Sequence, residues 1–535
     1  MIGLERLMRT TGIVAAAGLL VFVACARIPA PRPAPQAETP IPEPSPPGDT
    51  EERIQKAVSL AARGSYAQLD EAFRICDGLY SFAALKSRLA APFLDTGLLL
   101  AVREKELGIW NPGPIDRSIE LMKEHPELGD YRLWLAIAGF LWPKGRGVVQ
   151  KIDERFSSDE IIAALQKAEP ALAEGAARSP VFAYLYATYK WYNLKPLEKA
   201  EGLEAVVEAF PDSLLLKYKR AVCPAENAPL LEKLLAEEPE YLEAFLHLGV
   251  VSLAQGKLIE AEERFLKALP ALSRSQALLL RLASVYFALE EVEESLAFFE
   301  KTIEAFADNR DALLGKAICL GLMGRNDEAL VVLDAILAKG YQLVGEAHYW
   351  EAWNFHEKKD LERAASHIAE SKGRLPTAAE VFALSGLVEL ERGNLDAAEK
   401  DLQESLKFNS ADAEAMFNLA KVKALKEQWL ESAAIYRTSG FLYAETGKGL
   451  TAKMAEIRES RLSEARKARL LRKKEAQFRQ AEISKATAFY NAAAGYANSG
   501  NGILAIASAQ DAAAHPAMAG RAEELIALIK KRLDF

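Results

Sequence analysis

The chain has 535 residues and a formal net charge of −9, a length that suits three or four ordinary domains or one long array of repeats. Hydrophobic residues make up 50% and charged residues 26% of it, which excludes a wholly disordered chain. The negative charge argues against a dedicated nucleic-acid binder, and four cysteines are too few for a disulfide scaffold.

Residues 1–24 have the pattern of a signal peptide. Arg6 and Arg9 precede an apolar run from Ile13 to Ala24, which is followed directly by Cys25. Such a run is shorter than the roughly 20 residues of a membrane-spanning helix and suits the apolar part of a signal peptide. An uncleaved membrane anchor and an ordinary secretory signal are the alternatives.

The segment around Cys25, with a small residue directly before the cysteine, resembles a bacterial lipoprotein signal, although Phe22 stands where leucine is usual. The resemblance implies that Cys25 is freed by cleavage and lipidated. Ala26 stands where an aspartate favours retention in the inner membrane, so the resemblance implies the outer membrane, with the protein facing the periplasm. Residues 25–50 then form a linker that cannot pack as a core, because nine prolines fall between residues 28 and 48.

Residues 51–241 show helix-like spacing of apolar residues without a regular period. Prolines such as Pro92, Pro143 and Pro170 fall where helices are expected to break or bend. We interpret this region as an irregular domain of helical hairpins.

From residue 242 the sequence repeats every 34 residues: six copies fill 242–446, and a seventh lies at 486–519. The eighth place of every copy is small: Gly249, Ala283, Ala317, Ala352, Gly386, Ala420 and Ala493. The twentieth place is small as well: Ala261, Ser295, Ala329, Ala364, Ala398, Ser432 and Ala505. The turn place is glycine in four copies: Gly256, Gly324, Gly393 and Gly500. The fourth place is large and apolar in all copies except one, which has His348.

Two antiparallel helices approach closely only where their side chains are small, and a glycine can end the first helix in a left-handed conformation. This pattern resembles the tetratricopeptide repeat (TPR). The expected fold is therefore an all-α solenoid of antiparallel helix pairs, and residues 520–535 are expected to form a capping helix over the last apolar face.

Residues 447–485 interrupt the repeats with twelve Lys and Arg against five Glu, a local net charge of +7. Because this segment contains no proline, we predict that it forms one long basic helix that continues into the seventh repeat. Its predicted contacts with an anionic surface are Arg466, Lys467, Arg469, Arg472, Lys473 and Lys474. A solvated spacer helix is the alternative.

No familiar catalytic or phosphate-binding motif occurs in the sequence. His348 and His356 are two turns apart on one predicted helix, too far apart to share one metal ion. We therefore expect no enzyme activity, no cofactor and no metal site.

In TPR proteins the second, fifth, ninth and twelfth places of the first helix commonly face a ligand. In this chain the fifth, ninth and twelfth places are mostly apolar or aromatic. The predicted groove residues are Leu246, Val250, Leu280, Phe287, Leu314, Ile318, Tyr349, Trp353, Leu387 and Phe417. The alternative is that these side chains only pack between repeats.

In layout the chain resembles TPR lipoproteins that assist envelope, pilus or secretion assembly. The resemblance implies a lipid-anchored scaffold that binds hydrophobic or amphipathic segments of other proteins and no nucleic acid. The alternative function is a ligand-binding component that serves a transporter, similar to the TPR-like lipoproteins associated with TRAP transporters. That role would use the aromatic residues of the irregular domain: Phe182, Tyr184, Tyr186, Tyr189, Trp191 and Tyr192.

Overall fold

The computed structural model describes residues 46–109, 111–128, 131, 134, 169–193, 208–223 and 226–532. Every regular element in these ranges is a helix, and the predicted all-helical fold of stacked helix pairs is confirmed. The chain divides into two compact units, with the boundary between Ala307 and Asp308; we call them the N-terminal and C-terminal units. No helix in the described ranges combines the length and the apolarity needed to span a membrane.

The N-terminal unit combines irregular helices with the first two repeats. Its described helices are α1 Thr50–Arg63, α2 Tyr66–Tyr80, α3 Lys86–Glu106, α4 Gly113–Glu124, α5 Glu169–Ala176, α6 Pro180–Asn193, α7 Leu214–Val222, α8 Ala228–Glu237, α9 Ala244–Ala254, α10 Leu258–Ala268, α11 Gln276–Ala288 and α12 Val292–Ala305. A capping box starts α2: the Ser65 side chain accepts from the Gln68 N–H, and the Gln68 side chain accepts from the Ser65 N–H. Residues 135–168 and 194–207 of the predicted irregular domain lie outside the described residues.

A buried charge network ties the irregular helices to the first repeat. Arg103 of α3 is 0% exposed, and it donates to Glu243 at 2.6 Å and to the Tyr184 hydroxyl at 3.1 Å. Lys219 of α7, which is 2% exposed, donates to Glu106. Burial alone would raise the pKa of Glu106, but Lys219 and Arg103 outweigh burial and hold that pKa below its usual value.

Further hydrogen bonds join the first two repeats to the helices before them. The backbone N–H of Tyr66 donates to Glu243 at 2.7 Å, and the N–H of Gln276 donates to the Gly108 carbonyl at 2.9 Å. The sequence boundary between an irregular domain at 51–241 and repeats at 242–446 is therefore not the boundary of compact structure. The regular 34-residue period begins at residue 242, but the N-terminal compact unit extends to Ala307.

The C-terminal unit contains the remaining repeats. Its described helices are α13 Arg310–Leu322, α14 Asn326–Ala338, α15 Val344–Glu357, α16 Leu361–Arg374, α17 Ala379–Glu391, α18 Leu395–Phe408, α19 Ala413–Leu425, α20 Trp429–Glu459, α21 Glu464–Asn498, α22 Gly502–Ala513 and α23 Pro516–Arg532. Each repeat is one pair of neighbouring helices, and each pair packs together. The final helix begins four residues before the predicted capping segment.

Small side chains set the spacing within the helix pairs. Ala329, Ala352, Ala364 and Ala398 are all 0% exposed. A Cβ atom on Gly386 would lie 2.5 Å from the Leu402 Cγ, closer than real Cβ atoms come to any neighbour. The eighth place of this repeat therefore has room for glycine alone.

The turn between the two helices of each repeat has a left-handed residue at the fifteenth place in all seven copies. Glycine occupies four of these positions, with φ between +74° and +83°. The other three copies hold Glu290, Lys359 and Glu427, with φ of 62°, 61° and 59°. The repeat keeps its backbone turn where the sequence lacks glycine, at a cost in local strain.

The basic insert is not one helix, which corrects the prediction for 447–485. Its first part extends α20 to Glu459, and its second part belongs to α21, which begins at Glu464. The Ser463 side chain accepts from the Arg466 N–H and so caps the new helix. The two helices pack along their length because glycines allow close contact: a Cβ atom on Gly440 would lie 2.8 Å from the Phe489 ring.

Candidate functional site

The predicted groove residues divide evenly by burial. Five of the ten are buried: Leu246, Leu280, Leu314, Ile318 and Tyr349. The other five are half-buried: Val250, Phe287, Trp353, Leu387 and Phe417. A half-buried large apolar side chain still has surface to offer a partner, so the second group is the part of the prediction that can act in binding.

In the C-terminal unit three of these half-buried side chains lie on successive first helices. Trp353 and Leu387 hold the ninth places of α15 and α17, and Phe417 holds the fifth place of α19. The first helices contact each other in order, α15 with α17 and α17 with α19. These three side chains on adjoining first helices form a row, which we call the first-helix face.

Edge-to-face aromatic contacts hold the Trp353 side chain of the first-helix face in place on α15. The Tyr349 and Trp350 rings meet edge-on at 5.3 Å, and the Trp350 and Trp353 rings meet edge-on at 5.7 Å. Tyr349 and Trp350 are buried at 7% and 5% exposure, whereas Trp353 is half-buried. The indole of Trp353 is thus held by a packed neighbour and keeps one surface toward solvent.

Carboxylates hold the second place of the first helix in four successive repeats: Asp311, Glu346, Glu380 and Glu414. Burial and the nearby Glu346 raise the pKa of Asp311, and burial together with Asp412 raises the pKa of Glu414. Burial and the charges of Glu380 and Asp412 also raise the pKa of the Tyr349 hydroxyl. The apolar row therefore lies beside a strip of negative potential, the acidic row.

The N-terminal unit has a separate cavity of about 600 Å³. Its walls are mostly small and apolar, with Ala57, Val58 and Ala61 from α1, and Asp95 and Thr96 supply polar groups. Burial raises the pKa of Asp95 to about 6, and the Tyr131 hydroxyl donates to this carboxylate at 3.0 Å. Phe210 is the one aromatic side chain among the described lining residues.

The aromatic cluster predicted for a ligand does not line this cavity within the described residues. Tyr184 is 0% exposed and donates to Glu106, and Tyr189 is 4% exposed. Phe182 stacks on Trp134 at 4.6 Å. These rings fill the core of the N-terminal unit; the side chains of Trp191 and Tyr192 lie outside the described residues.

The six predicted anionic-surface residues differ in exposure. Arg469, Arg472 and Lys473 are exposed, and Arg466 and Lys467 are half-buried. Lys474 is only 7% exposed, and its ammonium donates to Gln477 at 3.2 Å. A flat anionic surface can be reached by the first three residues and not by Lys474.

Three of the four cysteines lie within the described residues. Cys76, Cys223 and Cys319 are buried and form no disulfide bond with one another, and burial raises the pKa of Cys76 to about 12. A thiol with such a pKa is unreactive at neutral pH. Cys25, the predicted site of lipidation, lies outside the described residues.

Comparison with known proteins supports the repeat family. Residues 384–439 match the family model described as a tetratricopeptide repeat, which confirms the family inferred from the spacing. Residues 384–439 are therefore tetratricopeptide repeat sequence, as the spacing predicts for this part of the chain. No curated protein matches it by sequence.

Solved structures of TPR proteins resemble it weakly. YrrB, a TPR protein with an unusual peptide-binding site, is 20% identical over 35% of this chain and 97% of its own, with a TM-score of 0.29. A TPR protein from Parabacteroides merdae is 16% identical over 52% of this chain and 98% of its own, with a TM-score of 0.36. PilW, a type IV pilus biogenesis factor, is 13% identical over 38% and 92%, with a TM-score of 0.33. Likenesses of this size do not indicate what this chain binds.

Proposed function

We propose that this chain is a lipid-anchored scaffold of the bacterial envelope, and that its C-terminal unit binds a basic amphipathic segment of another protein on the first-helix face. The observation that carries the proposal is the row of half-buried Trp353, Leu387 and Phe417 beside the acidic row. The process served would be envelope, pilus or secretion assembly.

An apolar row favours an amphipathic helix, because such a helix presents anchors at regular spacing to a groove. Aromatic anchors commonly dominate the binding energy, and Trp353 is already held in place by Trp350. A side chain that is pre-ordered loses little conformational entropy on binding.

The acidic row sets the charge of the partner. Among the described residues, neither Glu380 nor Glu414 forms an ion pair at 4.0 Å or less, and Glu414 is exposed. A partner that places Lys or Arg beside its apolar face would supply the missing counter-charges, increase the association rate and make binding weaken as salt rises.

Two labelled amphipathic peptides of equal hydrophobicity test this proposal, one with a basic and one with an acidic polar face. With the full chain, fluorescence anisotropy should show binding of the basic peptide and little binding of the acidic one. Trp353→Ala should weaken binding about 30-fold, the usual effect of losing a central aromatic anchor. Glu380→Gln with Glu414→Gln should weaken it less and reduce its salt dependence.

Matched controls lie on second helices. Val331 of α14 is 68% exposed, and Glu370 of α16 is exposed as well. Val331→Ala and Glu370→Gln should leave peptide binding unchanged. Equal binding of both peptides, or equal losses for Trp353→Ala and Val331→Ala, would refute the proposed face, provided that melting temperatures show each variant is folded.

The lipid anchor rests on the sequence around Cys25. Cys25→Ser should move the protein from the membrane fraction to the soluble periplasmic fraction and abolish incorporation of labelled fatty acid. Wild-type protein that still carries residues 1–24 and incorporates no labelled fatty acid would show an uncleaved anchor instead.

The basic hairpin formed by the end of α20 and the start of α21 offers a second membrane contact. Exposed Lys and Arg near an anionic surface contribute about 1 kcal/mol each. Replacing Arg469, Arg472 and Lys473 with glutamine should therefore reduce binding to anionic vesicles at low salt. If the wild-type chain ignores such vesicles at low salt, the hairpin is a spacer.

The cavity of the N-terminal unit favours a second candidate function, the binding of a small apolar ligand. A volume of about 600 Å³ suits a small molecule, and Asp95 and Thr96 could orient a polar end. Ala61→Phe should fill this space and block an apolar fluorescent probe. A probe that binds this variant as well as the wild type is bound elsewhere, and the cavity then has no ligand role.

A further inference from the structure

Two histidines and a glutamate converge in the helix pair α15–α16. His348 and Glu351 lie on α15, and His367 lies on α16. The His348 Nδ1 is 3.2 Å from the Glu351 Oε2 and 3.1 Å from the His367 Nδ1, and the His367 Nδ1 is 2.6 Å from the same Glu351 oxygen. Three atoms that could each coordinate a metal ion thus lie within 3.2 Å of one another.

The fold explains this convergence. His348 and Glu351 are three residues apart, so they share one face of α15. Ala352 and Ala364 are both 0% exposed and let α15 and α16 approach closely beside them. His348 occupies the fourth place, where the other repeats have Phe, Leu or Met. The polar cluster therefore replaces what is apolar packing in the neighbouring repeats.

Protons alone cannot satisfy the three contacts together. An ionised carboxylate has no proton to donate, and each Nδ1 carries at most one. If both Nδ1 atoms are protonated, neither has a lone pair to accept a hydrogen bond from the other. If only one Nδ1 atom is protonated, a single proton is available for all three contacts. At least one of the three contacts is therefore always left without a hydrogen bond. A cation at the centre would accept all three lone pairs.

We propose that His348, Glu351 and His367 bind a divalent transition-metal ion of the zinc class. Two imidazoles and one carboxylate are a known donor set for zinc, and at bond lengths near 2.0–2.1 Å tetrahedral donors lie about 3.3 Å apart. Two of the three separations, 3.2 and 3.1 Å, are already close to that value. Nitrogen donors disfavour Mg²⁺ and Ca²⁺, which prefer oxygen.

The surroundings fit such an ion. Glu351 is 1% exposed, so its charge is removed from water and gains from a bound cation. The carboxylate of Asp334 on α14 lies near Glu351 and adds a second negative charge that would favour a cation there. The side chains of His348 and His367 keep 15% and 25% of their surface exposed, which leaves an entry path.

Zinc binding by the full chain tests the proposal directly. The protein, purified in detergent without a polyhistidine tag and stripped with a chelator, is titrated with Zn²⁺ against a chromophoric chelator. We expect about one tightly bound ion per chain, and Co²⁺ in its place should give the visible absorption of a four-coordinate nitrogen and oxygen site. Mg²⁺ and Ca²⁺ should not compete.

His348→Phe removes one ligand and restores the side chain found in other repeats, so this variant should fold and lose the bound ion. His367→Val is the second ligand variant. His356→Gln is the matched control, because His356 lies on the same helix but contacts Glu391 instead. Equal zinc binding by the wild type, His348→Phe and His367→Val, or loss of zinc in His356→Gln alone, would overturn the site.

Discussion

The two units of this chain obtain their cores in different ways. In the N-terminal unit, Arg103, Glu243 and Lys219 are 0%, 0% and 2% exposed and join helices that are far apart in sequence. In the C-terminal unit, close helix contacts are made by alanine, glycine and serine at two fixed places of each repeat. Regular repeats thus take their geometry from side-chain size, whereas irregular helices take theirs from directional pairs between buried charges.

The largest expected effect is the loss of Arg103. Arg103→Met would leave Glu243 buried with one fewer donor, and Glu106 would keep Lys219 as its cationic partner. Removing one partner of a buried charge pair typically costs about 3–5 kcal/mol. Hydrogen exchange read by mass spectrometry should show much faster exchange in α3 and no change in α17.

Arg88→Met is the control for this loss. Arg88 pairs with Glu51 at 2.6 Å, but both side chains are more than half exposed. Exposed pairs contribute little, at most about 1 kcal/mol. If Arg103→Met is no more destabilising than Arg88→Met, the buried network does not hold the N-terminal unit together.

The second-largest expected effect is a pH dependence of the free energy of unfolding of the N-terminal unit. Burial raises the pKa of Glu104 to about 8, and Glu104 is 0% exposed. An unfolded chain releases this proton near pH 4.5, so between about pH 5 and 8 only the folded state holds it. The free energy of unfolding should fall with rising pH in this window, by at most about 1.4 kcal/mol per pH unit.

Glu104→Gln should flatten this slope, because the amide keeps a donor in place and does not titrate. Urea unfolding of both proteins at pH 5, 6.5 and 8 measures the difference. Asp95, with a pKa raised to about 6, contributes in the same direction at the lower end of the range. A wild-type stability that rises from pH 5 to 8 would contradict the assignment.

A smaller effect is expected from the close contacts of the C-terminal unit. Gly386→Ala adds a methyl group 2.5 Å from Leu402, and overpacking typically costs about 1–3 kcal/mol. Gly449 in α20 has no such neighbour within 4 Å, so Gly449→Ala should stabilise the helix by up to about 1 kcal/mol. Thermal melts should therefore shift in opposite directions, and shifts of the same sign would show that side-chain size does not limit this contact.

The smallest effect concerns the left-handed turns. Glu427 has φ 59° at the place where four other repeats have glycine. Glu427→Gly should raise stability by up to about 1 kcal/mol, because the strain of the left-handed residue exceeds the added entropy of the unfolded chain. Gly393→Ala is the reverse change and should lower the melting temperature. No difference between these two variants would mean that the turn carries no strain.

The regular part of the fold could be predicted because its cause is local and periodic. Ala329, Ala352 and Gly386 recur at fixed places, so the period alone shows which helices touch. The boundary at Ala307 could not be found in this way, since it depends on pairs such as Arg103–Glu243, which are separated by 140 residues. The break near Ser460 was also missed, because no proline or glycine marks it.

The candidate sites could be predicted in part. The 34-residue period identified the candidate groove positions on the first helix of each repeat. It could not show that Leu314 and Ile318 are buried while Trp353 and Leu387 keep exposed surface. The histidine cluster was missed because His348 was compared with His356 on its own helix. His367 lies on the partner helix, and only the packing of α15 against α16 joins the two; the irregular fourth place was the available signal.

A photo-reactive amino acid incorporated at single positions tests the central claim, that a basic amphipathic segment binds the first-helix face of the C-terminal unit. It is placed at position 387 on that face, at position 331 on a second helix and at position 58 in the wall of the N-terminal cavity. With the basic peptide, we predict a strong crosslink at 387 and none at 331 or 58. A crosslink at 58 or 331 that equals or exceeds that at 387 would contradict the account.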